Sequence, residues 1–329
     1  MALDGAFFSS LLSLPTPLLA FTVLLCVLAF LSSVWFTCYL IPQIYMCVRP
    51  VPNLKSKYST EWALVTGSGT GIGKALAFRL ASQGLNVVLV SLADEHLPAT
   101  LQEIQAKYPE QQFRSVGVQF APRVKYLDQI IKTTKDIDVQ IVFCNAGYMV
   151  TGFFDQVPIE KLLANMECNA TAAMAISHHF VQRMVTKRQR GCVVFTSSVA
   201  AFIPAPFAIM YAATKAFVSQ LAACLHIETK PLGIDVCAVH PSPVASQFYS
   251  KLDHKVDMIE SAAKNAVRPG DITDDILRSV GCCALRDLGA MAWGTRMGTF
   301  FLPYNLFAEI FALAAPIMPD WKTHSKGRS

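Results

Sequence analysis

The sequence is short of charge. Only 16% of its 329 residues are Asp, Glu, Lys or Arg, against about 25% in an ordinary soluble domain, and the mean hydropathy is +0.39. A deficit of that size points to a membrane contribution. The net charge of +5 is spread thinly. No block of basic residues is interleaved with aromatics, so the footprint of a nucleic-acid binder is missing. None of the ten cysteines forms a C-x-x-C pair, and none joins histidines at zinc-ligand spacing. The thiols read as unpaired in a reducing compartment, and a disulfide framework does not suit a chain of this length. Internal repeats and low-complexity tracts are lacking too.

The scarcity of charge is most pronounced near the start. No charged residue stands between Asp4 and Arg49, and residues 18–40 read LLAFTVLLCVLAFLSSVWFTCYL. A bilayer core needs about 20 apolar helical residues, which this run supplies. Pro17 marks a helix start and Pro42 is expected just past its end. A cleaved signal peptide fits less well, because no basic residue precedes the run and the run exceeds a signal's usual apolar stretch. Arg49, Lys55 and Lys57 follow it, so the positive-inside rule puts the bulk of the chain in the cytosol.

From residue 61 onward the pattern becomes strand and helix in alternation. WALVT (62–66), NVVLVSL (86–92), FRSVGVQF (113–120), VQIVFCNAG (139–147), GCVVFTSS (191–198) and GIDVCAVHP (233–241) read as strands, and helical spacing fills the gaps, as in 159–187. Such alternation predicts an α/β fold, a parallel sheet with helices on both faces. The tail returns to apolar character. Residues 297–319 carry Glu309 as their sole charge and Pro303 as a break, which predicts an interfacial or membrane-dipping helix before a buried packing element or a full span. The expected organisation is an anchor and linker over 1–50, a catalytic domain over 51–290 and an apolar segment over 291–329.

Between the first strand and the next helix lie Gly67, Ser68, Gly69, Thr70, Gly71, Ile72 and Gly73. Glycines there permit a tight turn and close approach to a pyrophosphate, and the helix start offers free N–H groups and a partial positive charge. Strand, glycine turn and helix in that order form a nucleotide-binding context. The second strand ends at Ser91 and Leu92. With no carboxylate there to hold a 2′-hydroxyl, NADP(H) is favoured over NAD(H), which stays open; Lys74 and Arg79 are the nearby cations that could assist.

Tyr211 and Lys215 in YAATK are four residues apart, on one face of a helix. An ammonium beside a phenol favours the phenolate and brings the tyrosine into range for proton transfer. Ser198, thirteen residues before Tyr211 at a strand end, can hydrogen-bond the same substrate oxygen. Asn169-Ala170-Thr171 fits a glycosylation sequon as a bare pattern.

TGSGTGIG (66–73), NAG (145–147), Asn169 in CNATAAM, Ser198, YAATK (211–215) and PSPVAS (241–246) together resemble the short-chain dehydrogenase/reductases, over about residues 60–250. The resemblance implies a Rossmann-type doubly wound sheet and a proton-relay tetrad of Asn169, Ser198, Tyr211 and Lys215. It also implies that Asn145, Ala146 and Gly147 line the cofactor cleft and that Pro241, Val244 and Ser246 lie at the nicotinamide. A narrower likeness, to the membrane-bound very-long-chain 3-oxoacyl-CoA reductases of fatty-acid elongation, comes from the N-terminal anchor, KYSTEWALVTGSGTGIGKALAFRLASQGLNVVLVS (57–91), IQAKYPEQQF (104–113), YAATKAFVSQLAACLHIETKPLGIDV (211–236) and the tail's PDW (319–321). It implies NADPH-dependent reduction of a long 3-oxoacyl-CoA at the endoplasmic reticulum membrane, with a homodimer or an elongase complex as partner.

The chain departs from that branch at Leu92, where an Arg is usual, at Gln119 for Asp, at Cys144 for Asn, and at HPSP (240–243). His240 is expected to pack at its strand end more readily than to reach the nicotinamide. Lys251, Lys255, Lys264 and Arg268 are the cations placed to meet a CoA phosphate, with solvated loop charge as the plainer account. A hydroxysteroid or retinoid dehydrogenase, or a 3-ketosphinganine reductase, would use the same chemistry. A scaffold that kept only the fold is the alternative from outside enzymology.

Overall fold

The computed structural model describes residues 15–245, 248, 261 and 266–325, in two compact units that divide between Arg49 and Pro50. The first is helix α1, Thr16–Val48. At 1.5 Å per residue its 33 residues extend about 50 Å, more than the ~30 Å of a bilayer core. Its hydroxyls donate to carbonyls one turn back, Thr22 to Leu18 at 2.9 Å and Ser32 to Leu28 at 2.8 Å, so these polar groups are satisfied within the helix, as a lipid environment requires. Pro42 does not lie past the end, as expected, but inside the helix. A proline forfeits one ladder bond and strains the preceding turn, and here the ladder closes again beyond it, with Arg49 N–H donating to Tyr45 O at 3.0 Å.

The second unit opens with the short helix α2, Leu54–Tyr58, and then alternates. Strands β1 (Trp62–Thr66), β2 (Asn86–Ser91), β3 (Phe113–Gly117), β4 (Val139–Cys144), β5 (Gly191–Thr196), β6 (Ile234–Pro241) and β7 (Leu285–Leu288) form one sheet in the order β3-β2-β1-β4-β5-β6-β7. Every neighbouring pair is parallel. Each residue of β1, β4 and β5 is buried, which is why these strands read as unbroken apolar runs: helices cover both faces. Along β1 the side chains alternate. Ala63 and Val65 pack in one cluster with Leu76 and Leu80 of α3 (Gly71–Ala81), and Trp62 and Leu64 in the other with Ile176 and Phe180 of the helix Ala172–Thr186. Helices α4 (His96–Lys107) and α5 (Tyr126–Thr134) complete the first half, and α8 (Ile209–Thr229) and α9 (Thr273–Ser279) follow in the second.

The sheet is the doubly wound arrangement that the alternation predicted. Strand order reverses between β1 and β4, and a crevice opens at their carboxyl ends, the usual place for a ligand in such sheets. Two differences from the expected elements matter. The single helix expected over 159–187 is α6 (Ile159–Met166) and α7 (Ala172–Thr186), joined by a π-helical turn at Glu167–Thr171 that holds Asn169. One-turn widenings of this kind concentrate at functional sites. The other is β7, absent from the expected strands because two of its four residues are Arg286 and Asp287, both buried.

The apolar tail forms α10 (Ala290–Phe301) and α11 (Tyr304–Ala314), bent by 105° at a break holding Pro303, and then α12 (Pro319–His324). Pro303 has no N–H to continue the first helix. Helix α10 is docked on the sheet: Arg296 pairs with Asp287 at 3.0 Å, and Trp293 Nε1 donates to the Asp287 carbonyl at 2.9 Å. On α11 the side chains of Leu306, Ile310 and Leu313 are exposed.

Candidate active site

Between β1 and α3 the chain turns through Gly67 and Gly71 at φ +66° and +56°, a region that side chains with a Cβ rarely enter. Space forbids a side chain as well. A Cβ on Gly67 would stand 2.9 Å from Ala146 Cα, and one on Gly73 would stand 2.2 Å from Gly67 O. The packing leaves the start of α3 facing a cavity of about 700 Å³ whose walls include Gly67, Thr70, Gly71 and Ile72. Ser68, Gly69 and Gly73 build the turn and do not line the cavity. Ser68 is fully buried, with its hydroxyl on Val90 O at 3.3 Å, and Gly69 O accepts from Thr100 at 3.0 Å.

Thr66, at the end of β1, opens the TGSGTGIG motif but had no role of its own in the sequence. Its hydroxyl oxygen accepts from the N–H of Asn145 at 2.9 Å and of Ala146 at 3.0 Å, tying the strand to the 145–147 turn across the crevice. Asn145 is braced from the other side by Thr196, which donates to its Oδ1 at 3.0 Å. Asn145, Ala146 and Gly147 all line the cavity. A Cβ on Gly147 would meet Asn169 Oδ1 and Lys215 Nζ, each at 3.2 Å, so a side chain there would push both groups back by a few tenths of an ångström.

Three of the four expected relay residues come from different elements. Asn169 is 2% exposed, which rules out the glycosylation reading, and its amide grips Tyr148 at both backbone groups: Oδ1 accepts from the N–H at 3.0 Å and Nδ2 donates to the carbonyl at 2.8 Å. Asn165, unnoticed in the sequence, donates to the same carbonyl at 2.8 Å. Lys215 is buried and donates to Thr196 O at 2.7 Å, with its ammonium 5.6 Å from the centre of the Tyr211 ring. Burial pushes its pKa down to about 8. Tyr211 and Ser198 both face the cavity, and the Ser198 oxygen accepts from Ala200 N–H at 3.2 Å as the cap of a short turn at Val199–Phe202.

Ser91, Leu92, Asp94, His96 and Gln119 line the cavity as well, and so do Pro241 and Val244. Ser246, Lys251, Lys255 and Lys264 lie outside the described residues. Arg268 is described and pairs with Asp271 at 3.2 Å on an exposed side chain, as a solvated loop charge would. His240 packs away from the cavity as expected, 1% exposed, with Nε2 on the Ser219 hydroxyl at 3.0 Å and Nδ1 2.9 Å from Asp287.

The short chain dehydrogenase family model matches residues 61–257. The chain belongs to that family. It is 30% identical over 209 residues to the very-long-chain 3-oxoacyl-CoA reductase of Emericella nidulans, covering 62% of this chain and 60% of that one. It is 33% identical over 192 residues to the enzyme of the same name from Homo sapiens, covering 57% and 61%. The chain thus matches about three fifths of the length of these relatives. Among solved structures it is similar to a short-chain dehydrogenase from Sphingobium yanoikuyae in complex with NADPH, with TM-score 0.63 and 25% identity over 73% of this chain and 95% of that one. Family membership accounts for the glycine cradle, whose close backbone approaches and helix start suit a nicotinamide dinucleotide.

Proposed function

We propose that this family member is a membrane-anchored, NAD(P)H-dependent carbonyl reductase whose substrate is a long-chain 3-oxoacyl-CoA. The observation that carries the chemistry is that Ser198, Tyr211 and Lys215 line one cavity with the glycine turn, while Asn169 holds the backbone of Tyr148 in its wall. The bound nicotinamide would supply a hydride to the keto carbon. Tyr211 would give its phenolic proton to the keto oxygen, Ser198 would hold that oxygen, and the Lys215 charge would favour the phenolate left behind. Asn169 would keep the Tyr148 backbone, and with it the cavity wall, in place. The reductase names of the relatives support the acyl-CoA substrate. The apolar α1 supports an anchor, for which the endoplasmic reticulum with the catalytic unit in the cytosol is the proposed setting. A homodimer or an elongase complex is the proposed assembly. A scaffold would have no use for a buried Lys215 beside the tyrosine.

The deciding experiment is cofactor oxidation by detergent-solubilised full chain over a panel of 3-oxoacyl-CoAs, ketosteroids, retinal and 3-ketosphinganine. Turnover confined to ketosteroids or to the sphingoid ketone would replace the acyl-CoA assignment while leaving the chemistry intact.

NADP(H) is the cofactor we assign, since Ser91 and Leu92 set no carboxylate at the end of β2. The margin should be narrow. Lys74 is held by Glu103 at 2.8 Å and Arg79 by Asp274 at 2.5 Å, while Asp94 lines the cavity. Leu92→Arg is expected to raise the ratio of kcat/KM for NADPH over NADH by about tenfold, ~1.4 kcal/mol, through a new guanidinium–phosphate contact. An unchanged ratio would mean that the 2′-phosphate does not reach residue 92.

Reduction is also expected to slow as pH rises past about 8, where Lys215 loses its charge. The sign follows from burial: it disfavours the ammonium, so the cation is complete only below that pH. A kcat/KM profile for NADPH that stays level through pH ~10, the ordinary range of a lysine, would contradict this role.

A further inference from the structure

A second apolar space adjoins the catalytic cavity. It measures about 460 Å³ and lies between the segment 200–216 and helix α11. Ala200, Ile203, Ala205 and Pro206 line both spaces, so one apolar segment, beginning two positions after Ser198, borders the two. No charged side chain lines the second space, and Tyr304 carries the sole polar side-chain group among its lining residues.

The helices flanking it are faced with alanine. Ala212, Ala213 and Ala216 of α8 look across at Ala308 and Ala312 of α11. Helices with such small faces ordinarily pack closely. Here α11 is held off, because the tail is pinned before and after it. On one side Arg296 of α10 is bound to Asp287. On the other, Trp321 of α12 packs edge-on against Phe153, centroids 5.1 Å apart, and against Phe207 at 6.5 Å. An apolar space kept open in this way forgoes dispersion contacts that a slender apolar guest would restore.

We infer that this groove seats the aliphatic chain of the substrate, which enters along α11 and lays its reactive end past Ala200 and Ala205 toward Ser198 and Tyr211. The inference rests on the reading of the substrate as a lipid ketone. A linear chain is the occupant that fits, because the groove is narrow-faced with alanine, apolar throughout its lining but for the Tyr304 hydroxyl, and separated from the cavity of Ser198 and Tyr211 only by residues that border both. Exposed Leu306, Ile310 and Leu313 on the same helix present an apolar surface from which such a chain can arrive. Each methylene seated there is worth about fourfold in affinity.

The test uses the full wild-type chain in lipid nanodiscs and a palmitoyl-CoA that carries a photoreactive diazirine at the end of its chain. Label is expected on Ala212, Ala213, Ala216, Ala308 or Ala312. Label confined to the outward-facing Leu306 and Leu313 would overturn the inference. This readout needs no turnover: labelled alanines in a protein that reduces no acyl-CoA would sink the proposed activity and leave the groove standing. In a second measurement Ala308→Phe and Ala312→Phe narrow the groove. The ratio of kcat/KM for 3-oxostearoyl-CoA over 3-oxobutanoyl-CoA is expected to fall about tenfold, and an unmoved ratio in folded variants would also overturn it.

Discussion

Tyr211→Phe is expected to lower kcat for carbonyl reduction by a factor of ~10²–10⁴, the usual worth of a positioned general acid, while cofactor affinity is kept. The substitution removes one oxygen and leaves the ring, which is 9% exposed and packs near Phe248 with centroids 5.4 Å apart. The fold therefore has little reason to respond. Asn169 would still hold Tyr148, and Lys215 would still donate to Thr196 O. The loss should fall on kcat and kcat/KM together, the mark of an interaction made in the transition state. Fluorescence titration with NADPH should give the wild-type dissociation constant. Full activity in this variant would remove Tyr211 from the chemistry, and a lost cofactor site would show that the phenol acts in binding instead.

The second large effect concerns stability. Asp287→Ala is expected to cost about 3–5 kcal/mol, because it strips the buried carboxylate from Arg296, whose side chain is only 24% exposed. Asp287 stands between two partners, with Arg296 Nε at 3.0 Å and Nη2 at 3.2 Å, and His240 Nδ1 at 2.9 Å. Arg296 also lies over the Phe202 ring at 3.7 Å, so the pair ties the tail to the turn that Ser198 opens. Removal of Asp287 leaves that guanidinium without its carboxylate. Thermal unfolding should fall by roughly 6–10 °C for a unit of this size. Arg296→Met added to Asp287→Ala should restore part of the loss, and the double-mutant cycle would give the pair's coupling. A loss below ~1 kcal/mol would mean that solvent reaches the site.

The pH dependence has a definite sign. Burial by itself would raise the Asp287 pKa, but the His240 ring and the Arg296 guanidinium outweigh it and hold the carboxyl at about 2. A depressed carboxyl contributes its stability in full above the ordinary carboxylate range near ~4 and loses it as pH falls toward that lower value. The wild-type chain should therefore lose stability through that acid window more steeply than Asp287→Ala does.

Much of the site was legible in the chain because its parts are local. The glycine turn is contiguous, and its φ angles and close contacts need glycine at set positions. Tyr211 and Lys215 share a helix face by spacing alone. The central strands announced themselves because burial on both faces demands mostly apolar runs. Where two distant groups satisfy one another, that legibility ended. Strand β7 was hidden because Arg286 and Asp287 are polar in sequence and buried in the fold, compensated by partners that no local pattern reveals. Thr66 and Asn165 looked like ordinary polar residues, and only the crossing of β1, β4 and α6 gave their hydrogen bonds a purpose. Lys74 and Arg79 looked free to meet a phosphate until Glu103 and Asp274 proved to be their partners.

The sequence by itself determined the alternating fold, the glycine turn, the candidate relay residues and an apolar helix long enough to cross a bilayer. Each follows from short-range rules of sterics, periodicity and burial. Tertiary structure alone decided that the apolar tail, broken at Pro303 as its sequence indicates, docks on β7 through Arg296 and Trp293 and on Phe153 and Phe207 through Trp321. It also decided that α11 stands over α8 with a groove between them. Most of those features depend on contacts between residues far apart in the chain, such as Trp321 with Phe153 and Phe207, whose free energy appears only when the chain has closed on itself.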